Sequence, residues 1–351
     1  MSAPAPTIAP PLGKLLMRAQ DLKVHFPIKR GVLKRTVGQV RAVDGISLDI
    51  HAGETLSIVG ESGCGKTTLG QALVRVLEPT AGRIEYHQDT AAPADIAHLS
   101  ETELRPYRSD IRMIFQDPFS SLNPRRRVID IIGESVRNFG TVNEREVERI
   151  VASLLLKVGL RPEYMTRYPY AFSGGERQRI GIARALAVHP RLVVADECVS
   201  ALDVSIQAQT LNLMQDLQEE FALTYVFISH DLSVVEYISD RVAVMYAGRV
   251  VELSATEPLF AHPRHPYTAA LLAAVPRPDP RRARTRQQMR LRGEVADPAD
   301  RPSGCAFHPR CPFATDRCRT EDPQLRSVGD SMVACHNTES LDLKGVNADA
   351  A

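Results

Sequence analysis

At 351 residues, 44% hydrophobic and 24% charged, the chain has length for two or so domains and the composition of a soluble globular protein. A net charge of +1 excludes a global field that would draw it onto nucleic acid. The sequence has no apolar run approaching the ~18 residues of a spanning helix. Its Pro/Ala-biased start, MSAPAPTIAPPLG, lacks the basic-then-apolar order of a signal peptide.

Residues 1–20 are therefore expected to form a disordered tail, and the chain is expected on the cytosolic side. There the six cysteines are expected to be mostly reduced, so a cluster of them suggests a metal site before disulfides.

From about Asp21 to Ile50 apolar and polar residues alternate (LKVHF, then VRAVDGISLDI), which predicts antiparallel strands. The basic run Lys29–Arg35 reads as a solvated hairpin tip. Thr55–Val59 (TLSIV) is a short β-branched strand, and Gly60–Thr68 (GESGCGKTT) follows it directly. That stretch matches G-x-x-x-x-G-K-[ST], a loop whose amides wrap a nucleotide's phosphates. Gly60, Gly63 and Gly65 let the backbone take positive φ, while Glu61, Ser62 and Cys64 fill the free positions. Cys64 reads as a lining residue, not a metal ligand. Lys66 would reach the β- and γ-phosphates of ATP, Thr67 would complete a Mg²⁺ shell, and Thr68 continues into a helix over Thr67–Val76.

Pro79–Gly82 is a turn, a strand begins at Arg83, Ala91–Ala97 is loop-like, and Ser100 with Glu103 could cap a short helix. Ile111–Gln116 is a strand ending on Gln116, and the prolines of DPFSSLNPRRR exclude regular structure after it. Val128–Gly159 turns helical. Ser173, Gly174, Gly175 and Glu176 open an amphipathic helix that runs to Val188. Leu192–Ala195 is a buried-strand pattern ending on Asp196 and Glu197. A helix over Val204–Phe221 precedes the strand Thr224–Ser229, which ends at His230, and VAVMYAGRVVEL closes the domain near Leu253. Strands alternating with helices, each ending in a polar residue, predict an α/β P-loop core with a mostly parallel sheet and a helical insert.

Asp196 and Glu197 supply the two carboxylates that P-loop chemistry needs: one opposite Thr67 for Mg²⁺, one further out to polarise an attacking water. Solvated acids at a strand end are the plainer alternative. Ser173-Gly174-Gly175 offers a hydroxyl and free amides, a second anion site that could serve another molecule's ATP, although a capped helix start looks the same.

SGGERQRIGIARAL, LVVADE, SALD (Ser200–Asp203) and ISHD (Ser229–Asp231), in order behind the P-loop and Gln116, resemble the nucleotide-binding subunits of ABC transporters. The resemblance implies a RecA-like domain with an antiparallel β subdomain, at about 21–260, and a helical subdomain at about 121–175. It implies that Gln116 senses Mg²⁺ and water, and that Ser173, Gly174, Gly175 and Glu176 complete the opposite subunit's ATP site. Asp203 would belong to the D-loop, and His230 would contact the γ-phosphate. Glu176 stands where Gln is usual and Cys198 where Pro is usual. The adenine-stacking position falls near Val37, which is not aromatic, so the base would stack elsewhere, for example on Phe26.

QDPFSSLNPR, DECVSALDVSIQAQTLNLMQDLQ, YVFISHDLSVV and PRHPYTAALLAAVPR are similar to the dipeptide/oligopeptide importer branch. This implies an ATPase peripheral to the cytoplasmic face of the cell membrane. Its implied partners are a second, related ATPase subunit, two transmembrane permease subunits and, through them, an extracytoplasmic peptide-binding protein. Another small solute such as nickel, or a soluble ABC protein acting on nucleic acid, are the alternatives. A P-loop kinase would have no use for SGGERQR.

A C-terminal extension is expected over 261–340 and a flexible tail over 341–351. Arg277–Arg292 reads as a solvated linker, with contact to anionic lipid as the alternative. Cys305, Cys311, Cys318 and Cys335, spaced C-x5-C-x6-C-x16-C, do not fit paired zinc knuckles. Four thiolates can hold a [4Fe–4S] cluster, which the family resemblance also implies. Zinc with His308 or His336, and plain apolar packing, stay open.

Overall fold

The computed structural model describes residues 13–31, 35–88, 92–117, 121–140, 142–275, 293 and 296–346. A four-stranded antiparallel sheet is built from β1 (Leu15–Arg30), β2 (Arg35–His51), β4 (Ala81–Tyr86) and β5 (Ala94–Asp95), in the order β2-β1-β4-β5. The second sheet contains β3 (Thr55–Val59), β6 (Ile111–Ile114), β7 (Leu192–Asp196), β8 (Thr224–Ile228), β9 (Arg241–Tyr246), β10 (Arg249–Ala255), β11 (Arg326–Val328) and β12 (Ser331–Val333). Its order is β11-β12-β10-β9-β3-β8-β7-β6. β6, β7, β8, β3 and β9 run parallel, and the other three add an antiparallel edge.

The parallel strands TLSIV, LVVAD and TYVFI are buried at every position, as strands covered on both faces must be. Their alternate residues enter different cores. Leu56, Ile58, Val194, Val226 and Ile228 pack with Leu69, Ala72 and Leu73 of α1 (Lys66–Leu73). Val193, Ala195, Tyr225 and Phe227 face the helical side, with α2 (Val128–Phe139), α3 (Glu144–Lys157), α4 (Gly174–Leu186) and α5 (Val204–Phe221). A third core joins Val242, Val244 and Tyr246 of β9 to Tyr267 and Phe307.

Most predicted elements form, and Ser100–Glu103 closes a reciprocal capping box at the turn Glu101–Leu104. Four expectations are corrected. β1 begins at Leu15, inside the expected tail, because Leu16, Met17 and Ala19 are buried in the core. The sheet does not close near Leu253: β10 pairs onward with β12, so the C-terminal extension continues the core sheet. Leu343 and Val346, expected in a flexible tail, are buried, and the Gly345 amide donates to the Ala261 carbonyl at 2.9 Å. Among the described residues several helices were not anticipated, including α6 (Leu232–Ile238), α7 (Thr256–Ala261) and α8 (Pro266–Ala273), and the short turns Tyr107–Asp110 and Asp316–Thr320. The Arg277–Arg292 run lies outside the described residues.

Candidate nucleotide site

β3 delivers the chain into the Gly60–Thr68 loop at the carboxyl edge of the sheet. Glycine is required there by packing as well as by φ. A Cβ on Gly65 (φ +104°) would lie 1.9 Å from the Ala42 carbonyl oxygen, and one on Gly60 2.3 Å from that of Met245. Lys66 is buried, and its ammonium donates to the carbonyls of Gly60 (2.9 Å) and Glu61 (3.1 Å), which hold it across the loop.

A cavity of about 550 Å³ opens over this loop, lined by Val40, Ala42, Ser62, Gly63, Gly65, Lys66, Thr67, Thr68, Gln116, Glu197, His230 and Pro298. Gln116, Glu197 and His230 come from the ends of three strands, the parallel-sheet edge where ligands collect. Gln116 Nε2 donates to Glu197 Oε2 at 2.8 Å, and His230 Nδ1 lies 3.2 Å from Glu197 Oε1. Glu197 adopts φ +43°, an uncommon conformation for a residue with a side chain. Its amide donates to the Ile228 carbonyl at 2.9 Å, which fixes that turn.

Asp196 lies beneath the cavity, buried, and accepts a hydrogen bond from Thr67 Oγ1 at 3.1 Å. Burial, with Glu197 adding to it, pushes its carboxyl above the usual range against the Thr67 bond and the Lys66 charge. A buried carboxylate beside a hydroxyl is a hard-oxygen pair of the kind Mg²⁺ takes.

The structure thus gathers Ser62, Gly63, Gly65, Lys66, Thr67, Thr68, Gln116, Glu197 and His230 around one cavity. It turns two loop residues away. The Cys64 thiol is buried in the core, where burial raises its pKa, so it is not a lining residue. Glu61 points its carboxylate at Arg310.

Ser173, Gly174, Gly175 and Glu176 do not line the cavity. They form the start of α4, with Ser173 Oγ accepting from the Glu176 amide and Glu176 reaching back to the Ser173 amide. Asp203, also outside the cavity, is the N-cap of α5. Cys198 packs 3.9 Å from Met214 Sδ, and burial pushes its thiol up to about 12.

Val40, Ala42 and Pro298 were missed. Val40 and Ala42 are two apart on the strand that holds Val37 but lie three and five residues beyond it, on the opposite face by alternation, so Val37 did not point to them. Phe26 sits opposite Val40 in the β1–β2 register, and Val37 is exposed. Pro298 carried no signal.

The four C-terminal cysteines share one compact region. The Cys305 amide donates to the Cys318 carbonyl at 2.9 Å, and Thr315 Oγ1 lies 3.3 Å from Cys318 Sγ. Burial raises the Cys305 thiol to about 11 and the Cys311 thiol to about 12, with the neighbouring cysteines adding to both. His308 and His336 each spend a ring nitrogen on a backbone carbonyl. Among the described residues no three His, Cys, Asp or Glu side chains are grouped so as to hold a metal ion. The geometry therefore lends no support to the zinc alternative or to the iron–sulfur expectation.

The ABC transporter family matches residues 43–200, and the oligopeptide/dipeptide transporter C-terminal region matches 251–318. A probable peptide ABC transporter ATP-binding protein of Sinorhizobium fredii is 54% identical over 92% of this chain and 89% of its own. The oligopeptide transport ATP-binding protein AppF of Bacillus subtilis is 51% identical over 92% of this chain and 97% of its own. The dipeptide transport ATP-binding protein DppF of Haemophilus influenzae is 48% identical over 92% and 97%. A dimeric ATP-binding cassette solved in a post-hydrolysis state with ADP and Pi superposes with TM-score 0.60 at 26% identity. That likeness covers 69% of this chain and 99% of the other.

Proposed function

The chain belongs to the ATP-binding subunits of the peptide-importing ABC transporters, ATPases that energise import of dipeptides or short oligopeptides, and we propose that it works as half of an ATP sandwich. The observation that carries the residue assignment is Glu197, held in an uncommon backbone conformation between Gln116 and His230 at the mouth of the phosphate loop.

In this reading the loop amides and Lys66 bind the β- and γ-phosphates, while Thr67 and Asp196 would hold Mg²⁺, which would neutralise charge on the phosphate oxygens. Glu197 accepts a hydrogen bond from the attacking water and aligns it with the γ-phosphorus. Gln116 and His230 fix the carboxylate and contact the water and the γ-phosphate. No covalent intermediate is needed. The Ser173–Glu176 helix start belongs to the partner's ATP, with Asp203 at the seam between subunits. The base is received near Val40 and Ala42, with Phe26 as the nearby ring.

The partners follow from the same premise: a second, related ATPase subunit, a pair of permease subunits, and an extracytoplasmic peptide-binding protein acting through them. A groove of about 330 Å³ between the sheet and the helical insert, with Val76, Phe115 and Phe139 in its lining, is the proposed seat of the permease. Among the described residues no helix is long and apolar enough to cross a membrane, so attachment is proposed to be peripheral, through that seat on the cytoplasmic face.

A finer proposal concerns Cys305, Cys311, Cys318 and Cys335. A [4Fe–4S] cluster asks for thiols spaced more widely than a single ion does. It rests on the family resemblance and on the common region of the four cysteines, where the Cys305 amide donates to the Cys318 carbonyl, and not on a metal-holding geometry. About four irons per anaerobically purified chain would support a cluster; freely alkylated thiols in the folded protein would end it.

Glu197→Gln tests the central assignment. It keeps the shape and ATP affinity but removes the charge that aligns water, so turnover of the assembled transporter is expected to drop ~100-fold or more. Hydrolysis at the parental rate would remove Glu197 from the mechanism.

A further inference from the structure

The C-terminal extension reaches the phosphate loop itself. Arg310, buried and one residue before Cys311, makes a two-pronged contact with Glu61: Nη1 to Oε2 at 2.6 Å and Nη2 to Oε1 at 2.9 Å. Its guanidinium carbon lies 5.9 Å from the centroid of the Tyr246 ring. The Glu61 amide donates to Tyr267 Oη at 2.9 Å, and Tyr267 is itself fully buried against Tyr246 and Phe307. Glu61 is thus gripped at both backbone and side chain by residues from beyond β10. The next residues, Ser62 and Gly63, line the cavity.

The same extension touches the site at a second place. Pro298 lines the cavity, and its carbonyl accepts from the Arg41 amide at 3.1 Å, between the lining residues Val40 and Ala42. Arg301, three residues on, donates to Asp44 Oδ2 at 3.1 Å.

A paired, two-pronged charge contact is specific in direction as well as in distance. Glu61 itself does not line the cavity, and its carboxylate is spent on Arg310. Holding the first variable residue of a loop that must present several amides at once fixes where those amides point.

We infer that the C-terminal extension is a cis wall of the nucleotide site, and that Arg310 is a positioning residue that sets the phosphate loop through Glu61. This rests on the reading of the Gly60–Thr68 cavity as the ATP site. Coupling is reciprocal: if the extension shapes the loop for ATP, ATP must steady the extension.

The test uses the full chain, with MgATP as the probe and its affinity read by calorimetry. Arg310→Ala and Glu61→Gln are each expected to weaken ATP binding about tenfold. Because they break one contact, Arg310→Ala with Glu61→Gln should be no weaker than either alone. Arg310→Lys, which keeps charge without the planar fork, should fall between parent and alanine. In the parent, MgATP should slow amide exchange over 304–318, and Glu61→Gln should abolish that protection.

A merely structural brace would lower the melting temperature and leave the affinity of the folded protein untouched. Parental affinity in both single variants, additive losses in the double variant, or no ATP-dependent protection of 304–318 would each overturn the inference. If Arg310→Ala does not fold, Glu61→Gln decides it from the less buried side of the contact. Lys66→Ala separates the premise: if it too binds MgATP like the parent, the site reading falls and takes the inference with it.

Discussion

Two helix starts in this chain offer free amides and a positive dipole end, and they are finished differently. At the start of α1, Lys66, Gln116, Glu197 and His230 close around the amides and make a cavity. At the start of α4, Ser173 and Glu176 satisfy each other in a capping box, and a Cβ on Gly174 would meet nothing within 4 Å. The local physics is the same, a ready anion site. One is furnished by its own chain with side chains around a cavity; the other is closed by its own chain only with a capping box. A helix N-terminus therefore does not define a site: what faces it does.

The sharpest way to break this comparison is a pair of variants. Lys66→Ala should abolish ATP binding by the isolated subunit, because the charge opposite the β- and γ-phosphates is lost. Ser173→Arg should leave that affinity within about twofold and yet stop hydrolysis in the assembled transporter, a drop of ~100-fold or more. Its cost to the subunit is the lost cap, about 1 kcal/mol. Measuring ATP affinity on the monomer and turnover on the complex checks both. If Ser173→Arg weakens binding in the monomer, the two helix starts serve one chain and the contrast is gone.

The contrast also marks what could be read beforehand. That Lys66 and Glu197 meet at one cavity was readable because phosphate chemistry fixes residue type at strand ends, which announce themselves as short β-branched runs; His230 was readable only through the family resemblance. The match of α5 to Val204–Phe221 has the same origin, an uninterrupted periodicity with clear ends. Arg310 and Pro298 were not readable, since a single Arg or Pro lying hundreds of residues from its contact leaves no periodic trace. Cys64 misled because its loop position suggested a lining residue, while local packing turned its thiol into the core. The extension was misjudged as separate because β11 and β12 are three residues each, too short to show alternation.

A second comparison, of intermediate size, sets glycine against glycine. A Cβ on Gly70 in α1 would lie 2.5 Å from Ile228 Cδ1 and 3.1 Å from Val194 Cγ1, so Gly70→Ala overpacks the core and should cost about 1–3 kcal/mol. Gly174→Ala meets open space and should be neutral, or stabilise the subunit by up to about 1 kcal/mol. If the α4 start approaches a partner's nucleotide, the same Gly174→Ala must lower the ATPase of the complex, since only that approach leaves no room for a methyl group. Denaturant unfolding gives the first number and turnover the second. A Gly174→Ala complex with parental turnover would mean that the α4 start meets no partner's nucleotide.

The smallest effect probes what braces the first helix start and not the second. His265, at the N-cap of α8, is fully buried; its Nδ1 accepts from the Tyr267 amide at 3.0 Å, and burial depresses its pKa to about 3 against a hydrogen bond to the Ala334 backbone. The unfolded chain takes up a proton near pH 6.5 that the folded chain refuses until about 3, so this residue costs stability progressively as pH falls from 6.5 towards 3. Glu252 opposes it. Its carboxylate accepts from the Arg264 and His265 amides at 2.7 and 2.9 Å, and burial raises its pKa. The folded state therefore holds that proton more readily, and stability rises as pH falls through the raised value. The two are separated by His265→Gln, which can still accept from Tyr267 but cannot be protonated. Between pH 6 and 5 the parent should lose about 1.2 kcal/mol more than the variant, most of one proton's worth. Amide exchange should localise that loss to the extension and the Glu61 contact, leaving the start of α4 unmoved. Equal slopes for parent and His265→Gln would show that acid does not act on the brace through this histidine.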